Sequence, residues 1–383
     1  MAITTEQTNK RLLNQNAILK TLHYEGQLQR GAISTLCGIR KSSVTSITAN
    51  LLESGVLHEV DPGRYRSPIA INTSARLAIV ASINQRYIIF ADVDMAGNII
   101  EQKRISIGHN DSPELIIDHL SAKLKQMINE SSNKSLGVGV ALPGIIDPEK
   151  GHCINAVNLN RWQNIPLGRI LSEKLDTPVL VDNDVRCQLH ACTWFDRMAR
   201  NAENILYVLI HYGVSCALMS RGQIIIGERF TAGEIGHTKA GEESRLCACG
   251  QTDCLETYCS LPAIIREIHN ILPKLKLQTA TDVAKAAETT PAIANILNRI
   301  THRLAQSLTG IVAATDPAAL VLGTADKKLT ECLRPYLKNH LYSEMIGMQT
   351  THAKIITADD AENGTLRGIA AQVIQRSFLN GTL

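Results

Sequence analysis

Within eighteen residues the chain gathers one imidazole and three thiols: His237, then Cys247, Cys249 and Cys254. Thiolates and imidazole form the soft ligand set that zinc takes up, and four protein ligands fill its tetrahedron. The spacing therefore predicts a closed, structural Zn2+ site rather than a catalytic one, which would keep a position open for water. The chain holds ten cysteines in all. Residues 1–6 show no basic cluster leading into an apolar core, so no secretion signal is read and a cytoplasmic protein with reduced thiols is expected.

Around this cluster lies a second kind of chemistry. Asn183, Asp184, Glu234, His237 and Glu256 offer planar acceptors and amides, the groups that read pairs of sugar hydroxyls and reject analogues lacking them. The plain alternative for each acid is a surface or capping role, and Asp184 also suits a cap ahead of a helix expected over residues 185–198.

These groups need a scaffold. With 383 residues, two or three domains are expected. A hydrophobic content of 44% and a charged content of 20% argue for a packed globular chain and against disorder. The longest apolar runs, 205–210 and 318–322, are too short to cross a membrane.

The first seventy residues differ from the rest. They carry eight Lys/Arg against five acids, a basic excess equal to the net charge of +3 for the whole chain. Apolar residues at helical spacing predict a helix over about 10–25, a second around Ile33, Leu36 and Cys37 that stops at Gly38, and a third opening at Ser42 and ending at Gly55. Two short strands, 56–60 and 67–71, flank a turn rich in Gly and Arg. This is the plan of a winged helix-turn-helix over residues 1–75. The third helix, with Arg40, Lys41, Ser42, Ser43, Thr45, Ser46, Thr48 and Asn50, would be the recognition helix, and Arg64 and Arg66 would form the wing. Operator DNA is the expected partner, and a two-headed homodimer or dimer of dimers would read a palindrome. A small helical subdomain with a merely solvated Ser/Thr face is the alternative.

From Leu77 onward strands and helices alternate, predicting two α/β lobes with a cleft between them. The first would span 76–198 and be completed by a C-terminal helix, 364–383. The second would span 199–363 and carry the metal loop, 237–256.

The motifs then carry a resemblance. Glu234-Ile235-Gly236-His237 and the run Cys247-Ala248-Cys249-Gly250-Gln251-Thr252-Asp253-Cys254-Leu255-Glu256 resemble the E-x-G-H and C-x-C-G-x-x-G-C-x-E signatures of the ROK family of repressors, open reading frames and sugar kinases. Asp253 departs from that pattern, replacing its usual Gly. Leu142-Pro143-Gly144, Asn158-Leu159 and Asp182-Asn183-Asp184 extend the likeness. The resemblance implies an α/β actin-like (ribonuclease H-like) two-lobed body behind a winged helix. It also implies a sugar site lined by Gly144, Asn158, Asn183, Asp184, Glu234, His237 and Glu256, with Asp184 at the position of the kinase base.

ROK kinases cradle ATP with a D-x-G-G-T turn, a G-T-G-x-G loop and a late G-G turn. The aligned segments here are Ser82-Ile83-Asn84-Gln85-Arg86, His211-Tyr212-Gly213-Val214-Ser215 and Gly323-Thr324. The phosphate-binding glycines are largely gone, and the expected protein is a repressor controlled by a sugar or sugar phosphate, not an enzyme. A kinase with an atypical ATP site and a regulator controlled by a protein partner are the two alternatives.

Overall fold

The computed structural model describes residues 5–108, 110–131, 135–196, 202–343, 353–358 and 360–381. Three helices, α1 (Thr5–Glu25), α2 (Arg30–Cys37) and α3 (Lys41–Glu53), are followed by the antiparallel pair β1 (Leu57–Glu59) and β2 (Ile69–Ile71). The expected winged helix is formed. Gly38, at φ +65°, ends α2 in a left-handed cap that a side chain would resist, and it sets the turn into α3. Ile18, Leu19, Leu22, Ile33, Val44, Ile47 and Leu51 meet in the centre of the head.

The first lobe runs β3 (Leu77–Ile83), β4 (Tyr87–Asp94), β5 (Ile99–Ser106), α4 (Pro113–Glu130), β6 (Ser135–Leu142), β7 (Ile145–Asp147), β8 (His152–Asn155), β9 (Gln163–Ile165), α5 (Leu167–Leu175), β10 (Val179–Asn183) and α6 (Asp184–Trp194). The second contains β11 (Ile205–Ile210), β12 (Val214–Ser220), β13 (Gln223–Ile225), α7 (Glu256–Cys259), α8 (Leu261–Ile271), α9 (Ala280–Thr289), α10 (Pro291–Thr315), β14 (Ala319–Thr324), α11 (Lys327–Ser343) and β15 (Lys354–Thr357). Helix α12 (Ala361–Asn380) closes the chain.

The two large sheets repeat one plan. In the orders β5-β4-β3-β6-β10 and β13-β12-β11-β14-β15, an antiparallel meander of three strands gains two parallel strands on the side of its first. Strand β11 is buried at every residue, as a central strand covered on both faces must be. A separate small sheet, β7-β8-β9, had no clear alternation in the sequence to announce it.

Helix α12 returns to complete the first lobe, starting at Ala361 rather than at residue 364. It crosses α6 so closely that a Cβ at Gly368 would collide with the Cys187 backbone carbonyl. Through α12, Trp194 and Phe378, the apolar interior of the head runs without a break into the first lobe. Helix α6 ends at Trp194, short of the expected 198, a position outside the described residues. Among the described residues no helix is long and apolar enough to cross a membrane.

Candidate functional site

Strand β10 delivers Asp182 and Asn183 to the floor of a cleft, and α6 begins at once with Asp184. A helix start leaves backbone amides without intrahelical partners. Here Asn183 Oδ1 accepts from the Val185 amide at 2.9 Å and the Arg186 amide at 3.1 Å, while its Nδ2 donates to the Gly144 carbonyl at 3.0 Å. Asn183, expected to touch sugar, is thus largely committed to holding the floor together. Gly144 has φ +108°, and any Cβ there would strike the backbone of Asn155 and Ala156, so the loop approaches β8 as only glycine allows. Beneath, Arg186 Nε reaches the buried Asp182 carboxylate at 2.8 Å, and its Nη2 donates to the Ile146 carbonyl at 2.8 Å.

The cleft has a volume of about 340 Å³, and Gly144, Asn158, Asn183, Asp184, Glu234, His237 and Glu256 all line it. All seven residues expected at the sugar site therefore converge. Burial pushes the Asp184 carboxyl up to about 6, and the like charge of Glu234 adds to the shift. Burial also raises Glu234 and Glu256, each partly offset by His237.

The metal-loop residues share one wall of this cleft. The nitrogens and sulfurs of His237, Cys247, Cys249 and Cys254 offer ligand atoms all within 4.8 Å of one another. The Cys249 and Cys254 sulfurs are 3.6 Å apart, close to the ~3.8 Å edge of a tetrahedron with 2.3 Å zinc–sulfur bonds. His237 turns Nδ1 towards Cys247 Sγ at 3.7 Å and Nε2 towards Glu234 at 3.8 Å, so one ring faces both the thiols and the cleft carboxylates. Asp253 makes up for the glycine it replaces. At φ +59° its carboxylate accepts from the Ser244 and Arg245 amides, at 3.1 and 3.0 Å, and from the Tyr258 hydroxyl at 2.6 Å.

The turns aligned with phosphate-binding loops are satisfied from within. Asn84 Oδ1 takes the Arg86 and Tyr87 amides at 2.9 and 3.0 Å. In the second loop the His211 amide donates to the Gly213 carbonyl at 2.9 Å, and the Val214 amide donates to Glu256 at 3.3 Å. Thr324 is buried and donates to the Asp326 carbonyl at 2.7 Å. Arg86 lies over the Tyr212 ring, 5.6 Å from its centroid, bringing the first two turns together.

On the head, Arg40, Lys41, Ser42, Thr45 and Ser46 are exposed along the start of α3, and Ser43 is half-buried. Two expectations change: α3 begins at Lys41, and Thr48 is fully buried, its hydroxyl 3.2 Å from Arg30 Nε, so it cannot reach a groove. The wing exposes Arg64 and Arg66, with Arg64 paired to Asp61 at 3.3 Å. Between them Tyr65 is 84% exposed. Its place between two arginines in a Gly-containing turn was the available signal, and it was not singled out from the sequence.

Asp184 yields a test with a definite sign. A carboxyl raised from 3.8 to about 6 binds its proton more tightly folded than unfolded, so its cost to stability builds as pH rises from 4 to 6 and persists above. That cost is of the order of 3 kcal/mol. Asp184→Asn should therefore be more stable than the parent at pH 7.5, and the advantage should vanish near pH 4. Chemical denaturation at both pH values measures this; a variant equally destabilised at both would refute it.

Known proteins resemble this chain along most of its length. The B. subtilis (strain 168) xylose repressor is 23% identical, over 96% of this chain and 97% of its own length. The E. coli (strain K12) DNA-binding transcriptional dual regulator NagC is 23% identical over 97% and 94%. Among solved structures, a ROK family transcriptional regulator described as a homolog of the E. coli MLC protein superposes with a TM-score of 0.84 at 19% identity, covering 97% of this chain and 98% of that one. A ROK family glucokinase from Streptomyces griseus, crystallised with glucose and AMPPNP, superposes with a TM-score of 0.68 at 20% identity, over 77% of this chain and 98% of that one. The ROK family profile matches residues 82–376, more than three quarters of the sequence, and the chain belongs to the ROK family.

Proposed function

We propose that this protein is a transcription regulator, a repressor, whose winged head binds operator DNA and whose cleft binds a sugar that weakens that binding. The observation that carries this reading is α6. It starts in the cleft with Asp184 and ends against the head, about 16 Å away. There His23 of α1 stacks on Trp194 with ring centroids 4.1 Å apart, and its Nε2 is 2.8 Å from the Trp194 carbonyl oxygen. Tyr24 meets the same ring edge-on. A sugar that prefers one placement of α6 over another changes the placement of the head by the same free energy. A hundredfold loss of operator affinity needs about 2.7 kcal/mol of such preference.

The relatives named as a xylose repressor and as a DNA-binding transcriptional dual regulator support DNA binding, and the phosphate turns closed by Asn84 and Glu256 favour binding without phosphoryl transfer. Two heads in a symmetric dimer would read a palindromic operator. Lys41→Ala is expected to weaken operator binding about tenfold and to lower the salt slope by about one, leaving sugar binding intact. Unchanged affinity and slope in a fluorescence titration would remove α3 from the DNA interface.

His237, Cys247, Cys249 and Cys254 would hold one Zn2+ ion, whose role is to fix the loop carrying Glu256 against the cleft. The closed set of four protein ligands leaves the ion no part in chemistry. Cys249→Ser should lose the metal, measured by elemental analysis, and lose sugar affinity with it. A metal-free variant that binds sugar as well as the parent would break the link between loop and cleft.

A further inference from the structure

The cleft lacks the cationic side chains that hold phosphates, and several of the amides that could do so are already bonded. Proteins bind phosphate with Lys or Arg, with free amides in tight turns, or with a helix N-terminus. Among the described residues lining the cleft there is no Lys or Arg, while three carboxylic acids, Asp184, Glu234 and Glu256, face it. The N-terminus of α6 opens onto the cleft, but its first amides are taken by Asn183 and Asp184. The turn amides of Arg86 and Tyr87 belong to Asn84, and that of Val214 belongs to Glu256.

The two histidines do not alter this balance. Burial lowers His211 to about 4, so its ring is neutral at pH 7, and the Nδ1 side of His237 faces the thiols. Arg186 is buried beneath the floor and spent on Asp182. Arg86 is exposed on the rim over Tyr212 and does not line the cavity.

We propose that the effector is a sugar bearing no anionic group, and that a phosphate ester of the same sugar is rejected. This rests on the reading of the cleft as a sugar site and narrows it. The lining is rich in acceptors, matching the hydroxyl donors of a neutral sugar. A phosphate dianion would enter a cavity of like charge, give up its hydration and find no cationic side chain to replace it. A protonated carboxyl supplies no positive charge either, so the mismatch holds whichever of the three acids is ionised.

The test is a thermal-shift and operator-release series on the full-length protein with xylose, glucose and N-acetylglucosamine, alongside glucose 6-phosphate and N-acetylglucosamine 6-phosphate, each at up to about 10 mM. The expected result is that at least one unmodified sugar raises the melting temperature and releases operator. Each 6-phosphate should bind at least tenfold more weakly than its parent, with no gain at low ionic strength. A 6-phosphate that matches or exceeds its parent overturns the proposal but leaves sugar control standing; loss of that response in Arg86→Ala would place the missing cation at the rim. If none of the five compounds acts while the protein still binds operator, the sugar reading falls together with the proposal.

Discussion

The start of α6 is the constraint on which the rest of the site depends. A helix cannot begin at the floor of a cleft with its first amides unsatisfied, because their burial without partners costs about 1–3 kcal/mol each. Asn183 meets that demand with both ends of its side chain, bonding the amides of Val185 and Arg186 on one side and the Gly144 carbonyl on the other. The cap thereby fixes three things together: the loop after β6, the direction of α6, and the place of Asp184. Gly368 then lets α12 lie directly on α6, and Trp194 carries the helix's far end into the packing of the head. Cleft and head are joined through one short, tightly held helix.

The same accounting of hydrogen bonds applies to the turns aligned with phosphate-binding loops. A turn that grips phosphate must leave its amides pointing outward and free. Here Asn84 turns two of them inward, and Glu256 takes another across the cleft. These contacts stabilise the turns and occupy three of their amides. Asp184, at the start of α6, has an elevated affinity for its proton because it is buried.

Much of this was legible in the sequence wherever partners lie close along the chain. The four candidate metal ligands fall within one short segment, and the helix stops at Gly38 and Gly55 are local, so the loop and head could be placed from spacing alone. What escaped depended on three-dimensional accounting. The capping role of Asn183 is not written in its residue type, and Thr48 reads as a groove-facing hydroxyl until Arg30 is found against it. Tyr65 lay in plain view in the wing, but exposure is not written in residue type. The small β7-β8-β9 sheet lacks a long alternating pattern, and the interlocking of α6 with α12 joins residues 177 and 185 positions apart.

The central claim is that α6 transmits the state of the cleft to the head. Its most direct test is a thermodynamic cycle: operator affinity with and without a saturating sugar, in the parent protein and in His23→Ala, which loses the stack on Trp194. Sugar should lower operator affinity severalfold or more in the parent, and this effect should shrink markedly in the variant while sugar binding and sugar-free operator binding are each retained. An undiminished sugar effect in His23→Ala would contradict the account.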